Sequence, residues 1–96
     1  MLVVVAYDVD TKTHAGERRL RKVAKICRDY GQRVQCSVFE CDVDSATLVL
    51  LKNKLLEAIN PSEDSLRFYN LGNHYDKKVQ AFGAKRSYDP EGFLAL

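Results

Sequence analysis

The sequence has no C-x-x-C pair, and its three cysteines, Cys27, Cys36 and Cys41, are odd in number. That argues against a disulfide framework and a structural zinc site, and it fits a reducing, cytoplasmic setting with the cysteines as small buried apolar side chains. No apolar run approaches the roughly 20 residues that cross a bilayer, so no membrane association is expected. The run Leu2-Val3-Val4-Val5-Ala6 has no basic residues before it and stops at Tyr7-Asp8, and so reads as a strand, not an export signal. There is no glycine-rich loop to cradle a phosphate and no glycine- and aromatic-rich strand motif for stacking single-stranded RNA. Ser37 lacks the setting of a nucleophile elbow, and His14 and His74 stand alone, without a second ligand at metal-binding spacing.

A large excess of one charge is also missing: the net charge is +2. The charges are nevertheless segregated. Arg18, Arg19, Arg21, Lys22, Lys25, Arg28 and Arg33 crowd one third of the chain, and Lys77, Lys78, Lys85 and Arg86 form a second basic group. Acids gather at Glu40, Asp42 and Asp44 and again at Glu57, Glu63 and Asp64.

With 96 residues, 46% hydrophobic and 29% charged, the chain has the composition of a folded α/β or α+β protein, not of a disordered or fibrous one. A chain of this length buries roughly 60–65% of its unfolded surface and holds one core. Small domains of this kind gain from an added staple, and a second subunit is one.

Residues 2–7 form a continuous β-branched run, as in a central strand, with Asp8 at its end. A polar, aperiodic loop follows over residues 9–16. Leu20, Val23, Ala24, Cys27 and Tyr30 then recur at helical spacing over residues 17–30, and Gly31 reads as the left-handed residue that ends a helix. Residues 33–43 alternate, with Val34, Cys36 and Val38 on one face and Gln35, Ser37 and Phe39 on the other, as one long strand or two short ones. Asp44 or Ser45 caps a second helix reaching about Ile59, with Leu48, Leu51, Leu55 and Ile59 inward and Val49, Leu50 and Leu56 widening the stripe, before Asn60-Pro61 stops it. Strands are expected at 66–71 and 79–82. The order fits an α+β, ferredoxin-like βαββαβ sandwich over residues 1–82, two helices covering one face of a mostly antiparallel sheet. Phe39 and other apolar groups would then lie on the uncovered face, a second reason to expect another subunit there.

Three segments carry a family resemblance: Val5-Ala6-Tyr7-Asp8-Val9, the block Tyr30-Gly31-Gln32-Arg33-Val34-Gln35-Cys36-Ser37-Val38-Phe39-Glu40, and Leu66-Arg67-Phe68-Tyr69-Asn70-Leu71. Their order and spacing resemble the CRISPR-associated protein two family over essentially the whole chain, and the Val-Gln-x-Ser-Val-Phe-Glu core is the most specific part. The resemblance implies a homodimer and a role in acquiring CRISPR spacers beside a spacer integrase subunit. It also implies a divalent metal, Mg2+ or another such as Mn2+, bound by Asp8 near the dimer axis. The family passes a C-terminal strand to the partner subunit, which would give residues 83–96, ending Phe93-Leu94-Ala95-Leu96, a place to pack.

Phosphodiester hydrolysis assisted by a metal needs a hard cation, and carboxylate oxygen suits it; magnesium keeps several waters and takes one or two protein carboxylates, so one Asp8 from each of two chains suffices if symmetry brings them together. Asp8 is therefore the catalytic and metal candidate, and Asp10 joins it only if the strand runs on. Arg19, Arg21 and Arg33 are the candidates for gripping phosphate, against the alternative of a solvated helix face. Tyr7, Ser37 and Phe39 flank the site or pack the dimer. Two functions follow: a metal-dependent endonuclease cutting RNA or DNA, or a non-catalytic dimer that binds duplex DNA and bridges integrase subunits.

Overall fold

Six elements follow one another in the computed structural model, which describes residues 1–83: β1 (Leu2–Asp8), α1 (His14–Tyr30), β2 (Gln32–Gln35), β3 (Val38–Asp42), α2 (Ser45–Ala58) and β4 (Ser65–Gly72). The strands form one antiparallel sheet in the order β2-β3-β1-β4. This is the expected ferredoxin-like βαββαβ sandwich. β1 reads as a near-continuous apolar run because it is central, paired with β3 on one side and β4 on the other.

Both helices cover one sheet face. Val3, Val5 and Tyr7 of β1 and Phe39 and Cys41 of β3 meet Val23, Ala24 and Cys27 of α1 and Leu48, Leu51 and Leu55 of α2 in a single buried cluster, with Leu66 and Phe68 of β4 packed against it. Burial pushes the Cys27 thiol up to about 12, and that of Cys41 up to about 11. Both therefore stay neutral core groups, as expected for them, while Cys36 is exposed.

The structure settles one open alternative and corrects several local expectations. Residues 33–43 form two strands, because Cys36 and Ser37 make the turn between β2 and β3. That reversal faces Arg33 with Phe39 across the ladder, and Phe39 lies fully buried beneath the helices instead of on the open face. α1 starts at His14, inside the stretch read as loop, because the Thr13 hydroxyl accepts the Gly16 N–H at 3.0 Å and caps it. Gly31 is extended, with φ −163°; glycine is required there because a Cβ would run into the Glu40 carbonyl and Cys41. Val49, Leu50 and Leu56 are more than half exposed on the outside of α2, so the stripe is narrower than the sequence pattern.

Residues 79–82 form no strand and are exposed; the chain leaves β4 through a turn at residues 76–78, with Lys78 N–H bonded to the Tyr75 carbonyl at 2.9 Å. Apart from Gly83, the segment expected to pack on a partner subunit, with Lys85 and Arg86, lies outside the described residues. No helix among the described residues is long and apolar enough to cross a membrane.

Candidate metal and nucleic-acid site

Tyr7 and Asp8 are consecutive in β1, so their side chains point to opposite sheet faces. Tyr7 enters the core and Asp8 stands exposed on the helix-free face. Asp8 is opposite Ser65 of β4, which puts a hydroxyl on the same face. Along that face run Leu2, Val4 and Ala6, with Val38 opposite Ala6 and Tyr69 opposite Val4. Arg67, also opposite Ala6, donates from Nη1 to the Tyr69 hydroxyl at 3.0 Å.

Just beyond the end of β1, the chain is held by Asp64. Its side chain is fully buried, 0% exposed, and accepts four hydrogen bonds: from the Asp10 N–H at 3.0 Å, the Asn60 N–H at 2.8 Å, and Arg19 Nε at 2.7 Å and Nη2 at 3.1 Å. Arg19 Nη2 also donates to Glu63 Oε1 at 3.2 Å. The bond from Arg19 holds the Asp64 carboxyl down to about 2, burial opposes this, and the Asn60 and Asp10 N–H groups add to it.

The consequence for stability has a definite sign. A carboxyl depressed from its ordinary 3.8 to about 2 on folding stabilises the fold above its unfolded value and ceases to do so as pH falls through the folded one. Urea titrations of wild type and Asp64→Asn are therefore expected to differ most above about pH 4 and to converge as pH falls from about 4 towards 2. A gap that stayed constant over that window would refute the assignment.

Asp8, Asp10, Ser62, Glu63, Asp64 and Ser65 line an open hollow of about 400 Å³. Every side chain there offers oxygen, the donor that suits magnesium or manganese. Asp64 is engaged by its four donors, and Asp10 Oδ1 accepts the Lys12 N–H at 2.9 Å, which leaves Asp8 the exposed carboxylate on the open sheet face. Among the described residues, no three His, Cys, Asp or Glu side chains converge as a metal cage, so the donor set fits a water-rich ion on one or two carboxylates.

The other candidates separate into three groups. Tyr7, Phe39, Arg33 and Ser37 come together on the helix side of the sheet: the Tyr7 and Phe39 rings stack at 6.2 Å, the Arg33 guanidinium lies 5.2 Å from the Phe39 ring centre, and the Tyr7 N–H donates to the Ser37 carbonyl at 3.1 Å. Burial pushes the Tyr7 phenol up, neighbouring Cys27 adds to this, and Arg33 pulls the other way. Arg33 Nε is buried without a hydrogen-bond partner among the described residues. Arg19 is taken up by Asp64 and Glu63, at the strand-end side. Arg21 is exposed on α1, as are Arg18, Lys22, Lys25 and Arg28.

Sequence reasoning missed Asp64 as Arg19's partner. The only signal was its position, an acid directly before an alternating strand and four residues after Asn60; the pairing spans 45 residues and no periodicity encodes it.

The arrangement defines a class: a ferredoxin-like sandwich whose helix-free sheet face is apolar along its centre and ends in an exposed aspartate. The family model described as CRISPR associated protein Cas2 matches residues 1–79. The chain is 57% identical over 96 residues to the CRISPR-associated endoribonuclease Cas2 of Chlorobaculum tepidum, covering 100% of both chains. It is 57% identical over 91 residues to the CRISPR-associated endonuclease Cas2 of Halalkalibacterium halodurans, covering 95% of each. The crystal structure of Streptococcus pyogenes Cas2 at pH 6.5 superposes with a TM-score of 0.75 at 53% identity, covering 86% of this chain and 100% of that one. The chain belongs to the Cas2 family of CRISPR-associated proteins.

Proposed function

We propose that the chain acts in CRISPR spacer acquisition as a homodimeric, divalent-metal-dependent endonuclease that hydrolyses phosphodiester bonds of RNA or DNA. The observation that carries this is the exposure of Asp8 at the end of β1, on the one sheet face that no helix covers. Pairing that face about a two-fold axis would cover Val4, Ala6 and Val38 and bring two Asp8 side chains towards each other. A bound Mg2+ or Mn2+ supplies charge neutralisation at the phosphoryl oxygens and an oriented water. Asp8 would hold the ion and Ser65 would offer a neighbouring hydroxyl; water adds to phosphorus as the bond to the leaving oxygen breaks, the attacking water giving its proton to solvent and the leaving oxygen taking one up. The names of the endoribonuclease and endonuclease relatives support the reading. The test is cleavage of labelled single-stranded RNA and duplex DNA: chelation should abolish it and added Mg2+ or Mn2+ restore it, whereas cleavage untouched by chelator would overturn the metal role.

A second reading, a non-catalytic bridge between duplex DNA and integrase subunits, is favoured by the exposed basic residues of α1, Arg18, Arg21, Lys22, Lys25 and Arg28. Each phosphate contact adds about one unit to the salt slope of binding. The double variant Arg21→Glu/Lys22→Glu is expected to lower that slope by about 2 and to weaken duplex binding at low salt, read by fluorescence anisotropy across a salt series. An unchanged slope would assign those residues to a merely solvated face.

A further inference from the structure

We infer that Asp64, with Arg19, is a positioning residue for Asp8, an inference that rests on the metal-dependent reading of that site. Strand pairing holds Asp8 from one side alone: the β1/β4 register extends to Asp8 and Ser65, whereas the β1/β3 register stops at Ala6 and Val38. Beyond a last bond on that side, from the Tyr7 N–H to the Ser37 carbonyl at 3.1 Å, the chain is anchored by the Asp10 N–H on Asp64 Oδ1. Asp64 also directly precedes Ser65, the residue facing Asp8, so one carboxylate fixes both chain segments that flank the metal candidate. Arg19 ties the arrangement to α1, donating to both oxygens of Asp64. Gly16 in the first turn of that helix packs so closely on the Asp10 carbonyl that a Cβ would collide with it.

A buried ion pair is poor value as a stabiliser, since well-packed apolar residues of similar volume often do as well. An apolar pair could not accept the Asp10 and Asn60 N–H groups, however, and those are the bonds that fix the loop. The carboxylate is thus spent on the backbone and on Arg19, not on an ion, and Arg19 is spent on carboxylates, not on phosphate. Groups that orient a metal ligand from behind typically change metal affinity or activity by about 10–100-fold when replaced.

The deciding experiment compares full-length wild type, Asp8→Ala, Asp64→Asn and Arg19→Gln, each well below its own melting midpoint. It reads the Mn2+ dissociation constant by water-proton relaxation, and kcat and KM on labelled substrate. Asp64→Asn is expected to weaken Mn2+ binding and lower kcat by about 10–100-fold with KM within about twofold. Arg19→Gln, which leaves the Asp10–Asp64 bond in place, should lose less of both and keep the wild-type salt slope for nucleic acid. A folded Asp64→Asn with wild-type Mn2+ affinity and kcat would overturn the inference; if that variant does not fold, wild-type values in Arg19→Gln overturn it and losses in both readouts support it. Asp8→Ala separates the two claims. Loss of Mn2+ binding in Asp8→Ala upholds the metal site whatever Asp64 does, whereas a wild type that binds no Mn2+ overturns both.

Discussion

Asp8→Ala is expected to lower metal-dependent cleavage by about a thousandfold or more while leaving the fold and duplex affinity unchanged. The size follows from what a bound cation contributes, several kcal/mol of charge stabilisation at the phosphoryl oxygens, with each 1.4 kcal/mol or so worth tenfold in rate. The selectivity follows from the surroundings of Asp8: it is exposed and accepts no hydrogen bond among the described residues, so its truncation opens no cavity and orphans no donor. The melting temperature should stay within about 2 °C of wild type. Without the metal, removing a negative charge next to a polyanion cannot weaken the electrostatic part of binding, so affinity measured in chelator at low salt should hold or rise. Cleavage at the wild-type rate would place the chemistry elsewhere. Duplex binding without cleavage in both proteins would move the weight to the bridging role.

The position of Asp8, exposed at the end of β1, was legible because it depends on two short-range facts, an uninterrupted β-branched run and an acid at its end. The sandwich was legible for the same reason: Leu20, Val23, Ala24 and Cys27 state their helical period locally, and the capping side chain of Asp44 accepts the Thr47 N–H at 2.7 Å just where a cap was expected. What escaped were effects that need a second segment. The turn at Cys36 and Ser37 contains neither glycine nor proline, so alternation continued through it in the sequence while the chain reversed in space. Leu50 and Leu56 have the residue type of a core position but the wrong angle around α2, which only its packing against α1 and the sheet reveals. Arg19 looked like Arg21 because both lie on one basic helix; a buried acid 45 residues away makes one an internal strut and leaves the other exposed.

The misplaced Phe39 gives the second large effect. Phe39→Ala is expected to destabilise the protein by about 3–5 kcal/mol, the range for removing a fully buried aromatic side chain, and to lower the melting temperature by roughly 15–30 °C in a domain of this size. Phe39 has no exposed surface, lies against the Tyr7 ring and supports the Arg33 guanidinium, so truncation removes packing on one side and a cation–π contact on the other. It also uncovers Arg33, whose Nε already lacks a partner among the described residues. Phe39→Leu, which keeps most of the volume, should cost about 1.5 kcal/mol or less. A residue on the open sheet face would behave differently: its truncation would weaken subunit association first and leave the isolated fold largely intact. Sedimentation of Phe39→Ala at low temperature, where it remains folded, is therefore expected to give a dimer dissociation constant within about threefold of wild type, because its side chain points into the helices. Val38→Asp, on the face that Val4 and Ala6 share, should instead dissociate the dimer by placing a charge on an apolar surface that pairing would bury. The reverse pattern, an associating Val38→Asp and a dissociated but stable Phe39→Ala, would mean that the subunits meet through the helix side of the sheet.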